Sequence, residues 1–130
     1  MFAPAAARLA KGGAEGELGD EIALESLVRC PLPAPVATAS GVEGVILHVD
    51  RFGNLVTNVL GADSPEIVAA GWHAGQASRR VDTYGEAVPE EVVVLEGSSG
   101  YLELAVNCGS AADATGLRRG DGVVFATSEE

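Results

Sequence analysis

The chain has 130 residues, enough for one compact domain around a single core and too few for two ordinary ones. Hydrophobic residues make up 47% and charged residues 21%, a globular mixture that excludes wholesale disorder. With 8 basic residues against 19 acidic ones the net charge is −11, a field that repels phosphate backbones and anionic bilayers, so neither nucleic acid nor a membrane surface is expected as a partner.

The first expected element is a helix over residues 2–10, where Pro4 can sit in a first turn, alanines fill the body and Gly12-Gly13 supply a stop. It starts almost at Met1, an unusual position for a helix that needs something to pack on. From Ala14 to Ser40 the glycines, the acidic residues and the run Pro31-Leu32-Pro33-Ala34-Pro35 predict an extended connector, with no more than a turn of helix over 21–27.

After Gly41 the texture changes to short β-prone segments punctuated by glycine, at 42–50, 55–60, 76–84, 92–96, 100–107 and 123–127. Tyr101-Leu102-Glu103-Leu104-Ala105-Val106 alternates in part like a half-buried strand, and Val92-Val93-Val94-Leu95 suits a strand buried on both faces. Two short helices are expected between strands. Ser64-Pro65 followed by Gly71 predicts one over 64–70, and Ser110 with Gly116 predicts the other over 110–116. The fold class is therefore mainly β, a small antiparallel β-barrel or sandwich with one or two short helices, preceded by an N-terminal helix and an extended linker.

Chemistry-bearing motifs are sparse. No nucleophile elbow, phosphate-binding loop, zinc-protease motif or dinucleotide fingerprint occurs, and His48 and His73 stand at no metal-ligand spacing, so no metal and no cofactor is expected. Cys30 and Cys108 have no CxxC spacing and no secretory segment ahead of them, which reads as reduced thiols in a cytoplasmic protein. No apolar run reaches the length of a membrane span.

A binding reading is stronger. Asp50-Arg51-Phe52-Gly53-Asn54 gathers a carboxylate, an aromatic ring, a turn-permitting glycine and an amide at the end of an apolar strand. Such a turn suits a zwitterionic or nucleoside-like ligand, the carboxylate for an ammonium, the ring for stacking and the amide for a purine edge. An ordinary β-turn with an Asx cap and a core phenylalanine fits the same spacing. Glu96-Gly97-Ser98-Ser99-Gly100-Tyr101 could hold a carboxylate in a nest or be a plain hairpin turn, and Thr83-Tyr84-Gly85 could offer a stacking platform or a core edge.

Taken in order, these segments resemble the C-terminal domain of the S-adenosylmethionine hydroxide adenosyltransferase family, the S-adenosylmethionine hydrolases related to fluorinase and chlorinase. The resemblance rests on Phe2-Ala3-Pro4-Ala5-Ala6-Ala7, on Asp50 through Asn58 (D-R-F-G-N-L-V-T-N), on Thr83-Tyr84, on Gly97 through Asn107 and on Gly120-Asp121. It implies a homotrimer whose ligand, S-adenosylmethionine as substrate, lies between the N-terminal domain of one subunit and the C-terminal domain of its neighbour. By position, Asp50 would meet the methionine amino group, Phe52 and Tyr84 would flank the adenine and Asn54 would bond its edge. Ser98 and Ser99 would hold the methionine carboxylate, and backbone groups near Asn107 and Cys108 would complete the adenine side. Ser99 stands where the halogenating relatives carry an arginine, which favours hydrolysis to adenosine and methionine. The resemblance further implies that residues 1–13 are the remnant of the last helix of a missing or separately encoded N-terminal domain, 14–40 a linker and 41–130 the ligand-binding barrel. That N-terminal domain supplies the catalytic residues, so none is expected in this chain. The alternative is a non-catalytic β-barrel interaction module that has lost ligand binding.

Overall fold

A computed structural model describes residues 2–13, 16, 18–64, 66–72 and 77–127. The chain divides into two units, residues 1–31 and 32–130. In the first, helix α1 (Phe2–Ala10) forms where the alanine-rich stretch predicts it and buries none of its residues. Gly12, at φ 74°, ends it, with Gly12 N–H bonded to Leu9 O and Gly13 N–H to Arg8 O. A single 3₁₀ turn (Leu24–Ser26) follows within the stretch expected to hold no more than a helical turn.

The second unit is antiparallel β. Its strands are β1 (Val36–Thr38), β2 (Gly41–Val49), β3 (Leu55–Leu60), β4 (Ile67–Gly71), β5 (Ala77–Arg79), β6 (Val92–Glu96), β7 (Tyr101–Val106) and β8 (Gly122–Thr127). The one short helix among the described residues here, α2 (Ala111–Thr115), lies between β7 and β8. The sheet runs β5-β4-β8-β2-β3-β7-β6, with β1 added beside β2. A parallel bridge between Arg80 and Val94, with Val81 N–H on Val94 O at 2.8 Å, joins the two ends of this order and nearly closes the sheet into a barrel. β1 falls inside the stretch read from sequence as connector.

Alternation along the strands sends Ile46, Leu55, Val59, Leu102, Leu104, Val123 and Phe125 into one central cluster. β6 and β7 are buried on both faces. Val94 joins the central cluster, while Val93, Leu95 and Ala105 form a smaller one with Val81 and Ala87 beneath the β5–β6 connection. Two side chains of the D-R-F-G-N-L-V-T-N string serve this framework. Thr57 donates its hydroxyl to Leu102 O at 2.7 Å, and Asn58 accepts from Val45 N at 2.8 Å while donating to Pro33 O at 2.9 Å. The Thr57 bond falls where the β3–β7 register slips between Val56 and Leu60, and the Asn58 bonds tie β3 to β2 and to the segment before β1.

The helix expected over 64–70 is instead strand β4, pairing with both β5 and β8. Pro65, the proposed first helical residue, lies outside the described residues. The physical reason is tertiary: Ile67 and Val68 are β-branched, Ile67 and Ala70 are buried, Val68 stays outside, and the slot between two strands offers ladder partners on both sides. The strand expected over 76–84 is shorter, ending at Arg79, and Tyr84 opens a 3₁₀ turn (Tyr84–Glu86). Gln76 and His73 lie outside the described residues.

Phe125 is fully buried while its neighbour Val124 faces outward on the same strand. Phe125→Ala is therefore expected to lower unfolding stability by about 3–5 kcal/mol in urea denaturation, whereas Val124→Ala changes it by less than about 1 kcal/mol.

Candidate functional site

β2 ends at a turn built around one carboxylate. Asp50 Oδ1 accepts from Phe52 N at 2.8 Å and Asn54 N at 2.9 Å, while Oδ2 accepts from Asn54 Nδ2 at 3.1 Å. Backbone bonds from Gly53 N to Asp50 O and from Asp50 N to Asn54 O close the same loop. Partial burial acts to raise the Asp50 pKa, but the hydrogen bonds from Asn54, Phe52 and Gly53 outweigh it and hold the carboxyl below its ordinary value. Gly53, at φ 86°, has no room for a Cβ, which would run into the Ser110 side chain. Its carbonyl accepts from Ala112 N at 2.9 Å. Ser110 is the N-cap of α2 and accepts from Asp113 N, so the turn is docked on the start of that helix.

Beside the docked turn lies a cleft of about 560 Å³ lined by Phe52, Asn54, Tyr84, Asn107, Cys108 and their neighbours Val106 and Gly109. Phe52 is 61% exposed, and the Arg51 guanidinium carbon sits 4.7 Å from its ring centroid. Asn54 is nearly buried; with one N–H bonded to Asp50, its carbonyl oxygen and second N–H remain for a ligand edge. Cys108 takes a left-handed φ of 56°, turning the backbone of 107–109 along the cleft wall.

Tyr84 reaches the cleft from the β5–β6 connection, which is clamped at several points. Thr83 and Glu86 form a capping box around the 3₁₀ turn. Arg79 bonds Glu86 O at 2.7 Å and grips the Glu91 carboxylate through Nε at 2.8 Å and Nη2 at 3.2 Å. The Tyr84 hydroxyl donates to Glu103 Oε1. Burial, then the bond to Glu103 and the charges of Glu103 and Asp50, push the Tyr84 pKa up to about 12, so the ring stays neutral and the hydroxyl stays a donor.

The structure thus brings Phe52, Asn54, Tyr84, Asn107 and Cys108 together. Asp50 lies within the turn rather than among the lining residues, near enough to Tyr84 to act on it electrostatically. Ser98 and Ser99 are exposed in the β6–β7 turn, at the opposite end of β7 from Asn107 and Cys108, and do not line the cleft. Glu103 was not singled out as a site residue from sequence; its one signal was an acidic residue inside the otherwise apolar run L-E-L-A-V. Among the described residues no group of His, Cys, Asp and Glu could hold a metal ion, and no helix is long and apolar enough to cross a membrane.

Residues 44–124 match the family model of the SAM hydroxide adenosyltransferase C-terminal domain. The chain belongs to this family. It is 43% identical over 120 residues to the (R)-S-adenosyl-L-methionine hydrolase of Thermus thermophilus, covering 92% of this chain and 44% of the relative. The hydrolase of the same name from Salinispora tropica is 36% identical, with coverage of 93% and 46%. The chain thus spans less than half the length of the curated relatives it matches. Among solved structures it resembles an uncharacterized conserved protein from Thermotoga maritima (TM-score 0.75, 27% identity, 97% of this chain and 50% of that one). A conserved hypothetical protein from Thermus thermophilus is also similar (TM-score 0.69, 40% identity, 95% and 50%).

Two outcomes follow for the family's turn. A carboxyl pKa depressed in the folded state contributes stability above its unfolded value, near 3.8, that is lost as pH falls through the lower folded value. Asp50→Asn should remove that part of the acid limb, so thermal melts between pH 7 and pH ~3 should fall less steeply than in the wild type. Gly53→Ala should destabilise by about 1–3 kcal/mol in urea denaturation through its positive φ and the clash with Ser110.

Proposed function

We propose that the cleft binds the adenosyl portion of S-adenosylmethionine and is one wall of a hydrolase pocket. The observation that carries this reading is the convergence of the Phe52 and Tyr84 rings, the Asn54 amide and the backbone of 107–109 on one cleft, which suits a flat, hydrogen-bonding heterocycle. The relatives' name supplies the substrate class. Phe52 and Tyr84 flank the adenine, Asn54 and the backbone near Asn107 and Cys108 bond its edge, and Asp50, kept charged by its turn, attracts the methionine ammonium. The role of Ser98 and Ser99 toward the methionine carboxylate rests on the family resemblance rather than on proximity to the cleft.

In the proposed reaction the oxygen of water or hydroxide bonds to ribose C5′ as the C5′–S bond breaks. Sulfur leaves with the bonding pair as the neutral thioether of methionine, and adenosine is released. If water attacks, its extra proton passes to a base. The cleft's lining offers aromatic rings, amides and backbone but no carboxylate or imidazole suited to that task. Binding is accordingly assigned to this domain, and orientation of the nucleophile to a second wall. Phe52 at 61% and Tyr84 at 41% exposure leave ring surface for that wall to cover. The N-terminal domain of a neighbouring subunit in a homotrimer, or a separately encoded one, is the proposed source.

Calorimetry with adenosine and with S-adenosylmethionine tests the reading. The wild-type chain should bind both. Tyr84→Ala should weaken adenosine about tenfold, in line with roughly 1–3 kcal/mol per stacked base, and Asn54→Ala about fivefold or more through lost hydrogen bonds of about 1 kcal/mol each. Absence of heat with the wild type would leave the barrel as an interaction module without ligand binding. Adenosine release should appear only when a family N-terminal domain is added.

A further inference from the structure

Glu103 is a carboxylate where the strand's chemistry asks for an apolar residue. It is 7% exposed, and all its neighbours from Leu102 to Val106 on β7 are buried. The β7 register sets it between Val56 of β3 and Leu95 of β6. With a period of two it shares a face with Ala105, at the margin of the small cluster of Val81, Ala87, Val93 and Leu95. Placing a carboxylate there is costly unless its oxygens are bonded, and burial alone would be served better by a leucine.

Both carboxylate oxygens have specific surroundings. Oε1 accepts the Tyr84 hydroxyl. Oε2 lies against Gly97, close enough that a Cβ there would stand 2.6 Å from it, so the glycine leaves the space the carboxylate occupies. Tyr84 is 41% exposed, and its ring lines the cleft. The ring is therefore fixed at two ends. Its backbone is held by the Thr83–Glu86 capping box and the Arg79 clamp, and its hydroxyl by Glu103. A half-exposed aromatic side chain held only at its backbone would sample several rotamers, and ordering it on binding costs affinity.

We propose that Glu103 is the positioning residue of the cleft, anchoring Tyr84 through its hydroxyl so that the ring is set before a flat ligand arrives. The proposal deepens the adenosyl-binding reading and rests on it for the ligand's identity. Glu103 acts through Tyr84 and touches no ligand atom itself. This distinguishes it from a residue that merely fills the barrel wall, whose removal would lower stability without regard to the hydroxyl of Tyr84.

The test combines a ligand-free measurement with a double-mutant cycle on the 130-residue chain. In the free protein at pH 7, the ¹³Cζ resonance of Tyr84 reports its hydroxyl's hydrogen bond. It should move in Glu103→Leu and return toward the wild-type position in Glu103→Gln, whose amide oxygen still accepts. In adenosine calorimetry, Glu103→Leu and Tyr84→Phe should each lose about tenfold in affinity, and the double variant should lose no more than either alone. Glu103→Gln should stay within about threefold of wild type. An unmoved Tyr84 resonance overturns the anchor whatever the ligand. Wild-type affinity in Glu103→Leu, or losses that add in the double variant, overturn its role in binding. Failure of the wild type to bind adenosine overturns the adenosyl reading instead, and the resonance shift then decides the anchor on its own.

Discussion

The Asp50 carboxylate is the constraint on which the site's geometry turns. A single side chain accepts the backbone N–H groups of Phe52 and Asn54 and the side-chain amide of Asn54, and so fixes in one step the orientation of an amide and the reversal of the chain between β2 and β3. Gly53 makes that reversal possible and presses the turn against Ser110. The hydrogen bonds that shape the turn also stabilise the charge of Asp50. The same atoms serve local folding and, in the proposed function, the attraction of a cationic group.

The other side of the cleft follows a different principle. Tyr84 belongs to a connection with a 3₁₀ turn, a kind of segment that ordinarily moves, and it is held by charge-assisted contacts from outside and a partly buried hydroxyl bond from inside. Arg79 and Glu91 reinforce each other: their hydrogen bond lowers the Glu91 pKa and raises that of Arg79, keeping both charged across the ordinary range of pH. Rigidity in this half of the site comes from polar contacts to the loop, whereas in the Asp50 half it comes from the loop's own side chain.

Much of this was legible in the sequence because it depends on local chemistry. The β2–β3 turn follows from an Asx cap and a glycine, α2 from a serine cap and a left-handed glycine, and the double burial of β6 from an unbroken apolar run. The family string was legible as a unit, yet the structure divides its labour: Phe52 and Asn54 line the cleft, Asp50 holds their turn, and Thr57 and Asn58 tie the sheet. What stayed hidden was non-local. Ser64 and Pro65 are a sound local helix signal, and only the open ladder between β5 and β8 makes Ile67–Gly71 a strand. Glu103 could be seen as anomalous but not explained, because its partner lies 19 residues away on another element.

The barrel's closure has a bearing on the site that its strand order alone does not suggest. The backbone seam between β5 and β6 is the Arg80–Val94 bridge with the bond from Val81, reinforced by the Arg79–Glu91 ion pair, where the other neighbours pair over three residues or more. The chain that crosses this seam is the one that carries Tyr84. Whatever stiffens that segment tightens the hoop, and the proposed ligand, held against the ring, would do so. On the proposed reading, occupancy of the cleft and integrity of the barrel are linked equilibria.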